Sequence, residues 1–190
     1  MDYQYLRSLG NEPRLHPNGF IQLDIDDRTR LHVWTEKPLT EHISKNRIHD
    51  HVFDFRSTVI CGSVIDTKYQ LRQSPKGRYE VFDVIPYVID NRAGSPERSC
   101  SDRFDLLPRD KRKFVAGEQY ALKADEIHET TPCGLTATII SYKVRKSKRV
   151  ARIFRPDDQR TPKFFDRKTV SSRILWHEIK LVCERIKHSL

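Results

Sequence analysis

Ile48-His-Asp-His-Val-Phe-Asp-Phe-Arg-Ser-Thr-Val-Ile-Cys-Gly62 reads as one long β-strand closed by a glycine. Branched and aromatic residues are frequent in it, and successive side chains of a strand point to opposite faces. His49 and His51 therefore share a face, and alternation adds Phe53, Phe55, Ser57 and Val59 to it. Asp50 and Asp54 fall on the other face, where they can hold Arg47 or Arg56 or support the histidines from behind. Two imidazoles on one face supply two corners of a site for a divalent transition metal. A third ligand has to come from elsewhere, and a His-X-His pair in a strand also occurs with a purely structural role.

The flanking sequence stays β in character. His16-Pro-Asn-Gly19 is a turn signal. After it, Ile21, Leu23 and Ile25 alternate with Gln22, Asp24 and Asp26, and a turn at residues 26–28 leads into a return strand with Leu31 and Val33. Arg30, His32 and Trp34 share the opposite face of that strand. Residues 35–47 form a polar connection. Val64 to Leu71 is the hairpin partner of the quoted strand, and Val81 to Ile89 is a further apolar stretch interrupted by Pro86. Residues 90–112 read as a loop, and short strands follow at 120–122, 127–131 and 135–144. Many short strands separated by turns indicate a sandwich or barrel.

The chain divides into a barrel domain over 1–150, a basic, Pro-containing linker over 151–170 and an amphipathic helix over 171–190. The helix carries Ile174, Leu175, Ile179, Leu181, Val182 and Ile186 at helical spacing, with Ser171 or Ser172 as cap. It is expected to pack on the barrel or on a partner, so a homodimer is a possible assembly.

The sequence has 190 residues, 37% of them hydrophobic, and a net charge of +9. A mean hydropathy of -0.68 and no apolar run of membrane-spanning length exclude a membrane protein of the helical kind. Met1 to Arg14 lacks an apolar leader core, which predicts a cytoplasmic protein. The cysteines Cys61, Cys100, Cys133 and Cys183 show no C-x-x-C pairing and read as reduced thiols. Lys143, Arg145, Lys146, Lys148, Arg149, Arg152 and Arg155 form a cationic run with no acid between them, either a solvated face or a contact for a phosphate-rich partner. Nucleic acid is the least supported partner.

A second informative segment runs from Gly117 through His128 to Pro132. The two segments together resemble the paired motifs of the cupin superfamily, G-x5-HxH-x3,4-E-x6-G and G-x5-PxG-x2-H-x3-N. His49 and His51 match the first histidine pair, Gly62 the closing glycine, Gly117 the opening glycine of the second motif, and His128 its histidine. Lys123, Asp125 and Pro132 replace the proline, second glycine and asparagine. The leading glycine, which would fall near Ile43, is absent, and the glutamate ligand would fall at Phe55 or Arg56. The resemblance, over roughly residues 16–145, implies an all-β fold: a cupin (double-stranded β-helix, jelly-roll) barrel with a C-terminal α-helix.

It also implies a three-histidine metal site, His49, His51 and His128, similar to that of the thiol dioxygenase branch. Iron is the expected metal, with nickel, manganese or zinc also compatible. Arg30 and Tyr142 are the candidate catalytic residues, Arg30 for pairing with an anionic group of a small-molecule substrate and Tyr142 for acid/base work. His32, Trp34, Phe53, Phe55 and Ser57 are candidate pocket-lining residues. Three functions fit: a metal-dependent, iron dioxygenase-type oxidoreductase acting on a small polar molecule, a non-catalytic barrel that sequesters a small anionic ligand such as a nucleotide, and a sugar-nucleotide isomerase or epimerase using a histidine base and a tyrosine.

Overall fold

The computed structural model describes residues 1–39, 47–85, 95–98, 100–143, 150–157 and 170–188. Two antiparallel sheets carry most of them. The first has the order β1 (Arg14–Leu15), β2 (Ile21–Asp26), β3 (Thr29–Trp34), β11 (Thr136–Lys143), β4 (Asp54–Cys61), β9 (Gln119–Leu122). The second has the order β10 (Ile127–Pro132), β5 (Ser63–Gln73), β8 (Phe104–Val115), β6 (Tyr79–Ile85), β12 (Arg152–Pro156), with β7 (Ser95–Arg98) paired to β6. Helices α1 (Tyr3–Ser8) and α2 (Ser172–His188) complete the chain.

Period-two alternation decides what each face of the first sheet meets. Leu23, Leu31, Val33 and Ala137 fall on one face and form a core with Leu175, Trp176, Ile179 and Val182 of α2. Ser171 caps that helix, its hydroxyl accepting from the Ile174 N–H at 3.4 Å. The opposite face carries Gln22, Arg30, His32 and Trp34, in register with Thr138 and Ile140 of β11. This second face looks toward the second sheet. Phe55, Val59, Val64 and Leu122 fill one region between the sheets.

The long strand expected over 48–61 is two pieces. Regular pairing begins at Asp54, and the chain bends at Val52 and Phe53. The preceding residues join the second sheet, where His49 bridges both His128 of β10 and Ile153 of β12. The His49 N–H donates to the His128 carbonyl at 3.0 Å, and the His128 N–H returns a bond of 2.9 Å. Asp50 N–H donates to Arg152 O, and Phe154 N–H to Ile48 O, each at 3.0 Å. Residues 48–50 are thus a short strap across both outer strands of the second sheet. The bend lets the chain leave one sheet and enter the other, which a straight strand could not do.

Other expectations are also corrected. The loop assigned to 90–112 holds β7 and most of β8. Its polar side chains misled because β8 is solvent-facing along much of its length, with Lys111, Arg112 and Lys113 exposed. The linker assigned to 151–170 contains β12, whose Ile153 and Phe154 are buried. Residues 86–89 of the Val81–Ile89 stretch, and much of the 35–47 connection, lie outside the described residues. Helix α1 had no expectation attached to it. All four cysteines are free. Among the described residues, no helix is long and apolar enough to cross a membrane.

Candidate metal centre

The strap and β10 bring His49, His51 and His128 together, with one ring nitrogen from each lying within 4.8 Å of the others. Backbone pairing sets this meeting: the strap lies beside β10, and His51 follows it immediately before the bend at 52–53. The His51 carbonyl is held by the Asp125 N–H at 2.9 Å, just before β10 begins.

Hydrogen bonds assign two of the tautomers. His128 Nδ1 lies 2.8 Å from Asp66 Oδ1, and both residues are buried, so Nδ1–H donates to the carboxylate. His49 Nδ1 lies 2.7 Å from the Arg47 carbonyl and donates to it. Both rings therefore turn an Nε2 lone pair toward the shared space. His51 Nε2 stands 3.1 Å from His128 Nε2. Two lone pairs that close repel unless a proton or a cation lies between them. A metal with bonds of about 2.1 Å to two imidazoles needs their nitrogens roughly 3.0–3.4 Å apart. The donor set fits a borderline divalent ion on chemistry and on this edge.

The electrostatics favour neutral imidazoles. Burial pushes His49 down to about 3, aided by the neighbouring His128. Burial, then His49 and His128, hold His51 well below the usual histidine range. No carboxylate joins the set among the described residues. Phe55 occupies the place where the resembled motif has its glutamate; it is buried, with its ring edge-on to His51 at 5.0 Å.

A cavity of about 470 Å³ opens over the three histidines, between the sheets. That lies within the range of small-molecule sites, roughly 300–1,000 Å³. Of the sequence candidates, His32, Trp34, Phe53, Phe55, Arg30 and Tyr142 all line it. Ser57 does not reach the wall; it is fully buried in register with Tyr120. Arg30 is paired with Asp24 at 3.1 Å and lies over the Tyr142 ring at 4.8 Å. Asp24 is also paired with Arg14 and bonded by Gln22. Burial opposes its charge, but these contacts hold its carboxyl below the usual range. Arg30 and Arg14 thus share one carboxylate, which leaves the trio with a net positive charge. The Tyr142 hydroxyl donates to the Asp27 carbonyl at 2.7 Å, so the cavity receives its ring and the acid/base role loses its proton.

The partners expected for the two aspartates differ. The Asp50 carboxylate accepts from the Arg152 guanidinium at 2.6–2.7 Å and from the Arg152 N–H at 2.6 Å; Asp54 accepts from the Ala124 N–H at 2.7 Å. Arg152 and Arg155 of the cationic run are held by Asp50 and Glu80, and residues 144–149 lie outside the described residues. Sequence reading missed Asp66 and Thr130, which donates to it at 3.3 Å. The signal was available: Asp66 is an acid at the inward parity set by Val64. It also missed the aromatic wall built by Phe20, stacked between His16 at 4.3 Å and His32 at 4.2 Å.

No protein-family model matches the chain, and neither does any curated protein.

Proposed function

We propose that the protein is a three-histidine metalloenzyme of the cupin type, an iron-dependent oxidoreductase that presents a small molecule to dioxygen. The observation that carries this reading is the convergence of three imidazole nitrogens, two of them oriented from behind by Asp66 and the Arg47 carbonyl, at the floor of a ligand-sized cavity. Backbone geometry supports the cupin resemblance. Gly62, Gly117 and Asp125 stand at three glycine slots of the paired motifs, and all three have positive φ, +69°, +92° and +68°. Asp125 is the one non-glycine residue among the described residues with that conformation, which aspartate tolerates better than most side chains.

When bound, the metal supplies the oxygen chemistry, which protein side chains cannot. The chain does the rest. His49, His51 and His128 fix the ligand geometry, and Asp66 holds the His128 proton on Nδ1 so that Nε2 stays free. Phe53 and Phe55 pack beside His51 and keep water away from it. Substrate enters the cavity between the sheets and is oriented by its walls. The isomerase alternative is less well served, because the Tyr142 hydroxyl is engaged and Tyr120 is buried with its hydroxyl among Ser57 and Thr130.

The test is elemental analysis of untagged protein beside His49→Ala/His128→Ala. About one equivalent of iron, lost in the double variant, followed by oxygen uptake with a member of a thiol and ring-alcohol panel, is the expected result. Iron-loaded protein that consumes no oxygen with any of them overturns the oxidoreductase reading. Absence of any metal from both proteins overturns the metal site itself.

A further inference from the structure

Away from the cavity, the long strand β8 is paired along one side only. It runs beside β5 from Phe104, opposite Gln73, to Val115, opposite Ser63. On its other side β6 meets it at one pair, Tyr79 with Phe104. From residue 105 onward no described strand lies on that side.

Hydrogen bonds at the end of the strand tell which backbone groups face the free side. The Ala116 N–H donates to the Gly62 carbonyl at 3.1 Å, toward β5. The Val115 N–H turns away from β5 and donates to the Glu118 carboxylate at 2.8 Å. Bonding direction alternates along an antiparallel strand. Phe114 and Arg112 therefore bond toward β5, while Lys113 and Lys111 direct their N–H and C=O to the free side. By register these lysines stand opposite Ile65 and Thr67, so their side chains share with Val115 the face turned away from Asp66. All three side chains are exposed, Val115 by 46%. Arg112 is paired with Asp110 at 3.1 Å, but Arg109, Lys111 and Lys113 have no ion-pair partner among the described residues.

Unbonded backbone and unpaired ammonium groups thus sit on the same two residues, and together they select an occupant. A second copy fits poorly: antiparallel pairing of β8 with itself through these groups sets lysine against lysine, and like charges directly opposite each other are unfavourable. A nucleic acid satisfies the lysines but brings phosphates against the backbone carbonyls. An extended acidic peptide satisfies both, exchanging hydrogen bonds with the backbone and setting carboxylates opposite the ammonium groups. Lysines on a free strand keep other strands off by their charge, so an acidic strand is the one kind that this charge admits.

We propose that the free side of β8 takes an extended acidic peptide by antiparallel strand addition, with one acidic residue opposite Lys113 and the next but one opposite Lys111. Val115 adds an apolar contact, so the partner reads, from its N-terminal end, apolar, any residue, acid, any residue, acid. The surface lies outside the cavity, and nothing in the proposal depends on a metal.

Fluorescence anisotropy with a labelled peptide, Thr-Val-Thr-Glu-Thr-Glu-Thr, provides the test. Saturable binding is expected, with none for the peptide carrying lysine in place of glutamate. Lys111→Glu/Lys113→Glu should weaken the acidic peptide roughly tenfold or more and admit the lysine peptide. Its circular dichroism should match that of the parent. N-methylation of the two glutamate amides should abolish binding, whereas N-methylation of the threonine between them should leave it intact. Absence of saturable binding overturns the proposal, as does binding that survives the charge reversal. Binding indifferent to methylation of the glutamates means that charge alone holds the peptide, and overturns strand addition. Tighter binding of oligouridylate than of the peptide assigns the surface to nucleic acid instead. A parent dimer that leaves the peptide unbound assigns it to a second copy, and either result overturns the proposal.

Discussion

Asp66 adds no atom to the three-nitrogen cluster, yet it orients one of the rings in it. Its carboxylate receives His128 Nδ1–H at 2.8 Å and the Thr130 hydroxyl at 3.3 Å, in a position only 4% exposed. Asp66→Asn keeps the shape but offers an amide where a carboxylate stood, so His128 is free to take the other tautomer. Groups in this position typically contribute 10- to 100-fold to metal affinity. Competition against a chromophoric chelator should show a loss of about that size with the fold intact; unchanged affinity would mean that packing alone orients His128. At this scale the sequence was informative where spacing carried the message. His49, His51 and His128 were legible because two motifs fixed them relative to glycines. Asp66 was not, because nothing along the chain marks which acid on a strand meets which histidine on its neighbour. Tyr142 and Arg30 were legible as cavity residues, but not as engaged ones, since Asp27 and Asp24 become their partners only once β2, β3 and β11 lie side by side.

Turns decide whether the elements meet in register. Gly62 joins β4 to β5 with φ +69°, and a Cβ there would sit 2.4 Å from the Leu135 carbonyl oxygen. Gly62→Ala therefore meets both a disfavoured backbone conformation and an immovable backbone atom. A loss on the order of 2–3 kcal/mol in urea unfolding is expected, and a loss under 0.5 kcal/mol would show that the turn can relax. The closing glycine was readable in advance, as were β2, β3, β9, β10, β11 and α2, all of which carry clear periodicity or sit between turn signals. The bend at 52–53 was not, because Val52 and Phe53 continue a strand pattern without a break. Nor was β8, whose Pro108 and run of charges look like a loop. Pro108 is tolerated there near a shift in the register between β5 and β8.

Across the whole molecule, the two sheets bury a set of neutral histidines from separate parts of the chain. His32 and His49 are held down to about 3 and His51 well below its usual range, in each case chiefly by burial. The folded, metal-free protein keeps these rings uncharged, while the unfolded chain takes up protons near pH 6.5. Above that pH the two states bind protons alike. As pH falls from about 6.5 toward 3, protonation of the unfolded chain draws the equilibrium away from the fold. His32 and His49 should each cost up to about 2 kcal/mol by pH 5, and His51 adds in the same direction. Thermal melts of chelator-treated protein should show a midpoint that is flat from pH 8 to 7 and falls steadily below. A flat profile down to pH 5 would mean that the rings gain protons without penalty.

The strap over residues 48–50 has one more consequence. A terminal strand with free N–H and C=O groups is a template on which a second chain can add itself, and proteins guard such strands. Ile48, His49 and Asp50 occupy the N–H and carbonyl of His128 in β10 and the Arg152 carbonyl and Phe154 N–H of β12. The segment that gathers the imidazoles therefore also covers the middle of β10 and the start of β12, and a chain that loses its grip there bares both edges to pairing with its own copies.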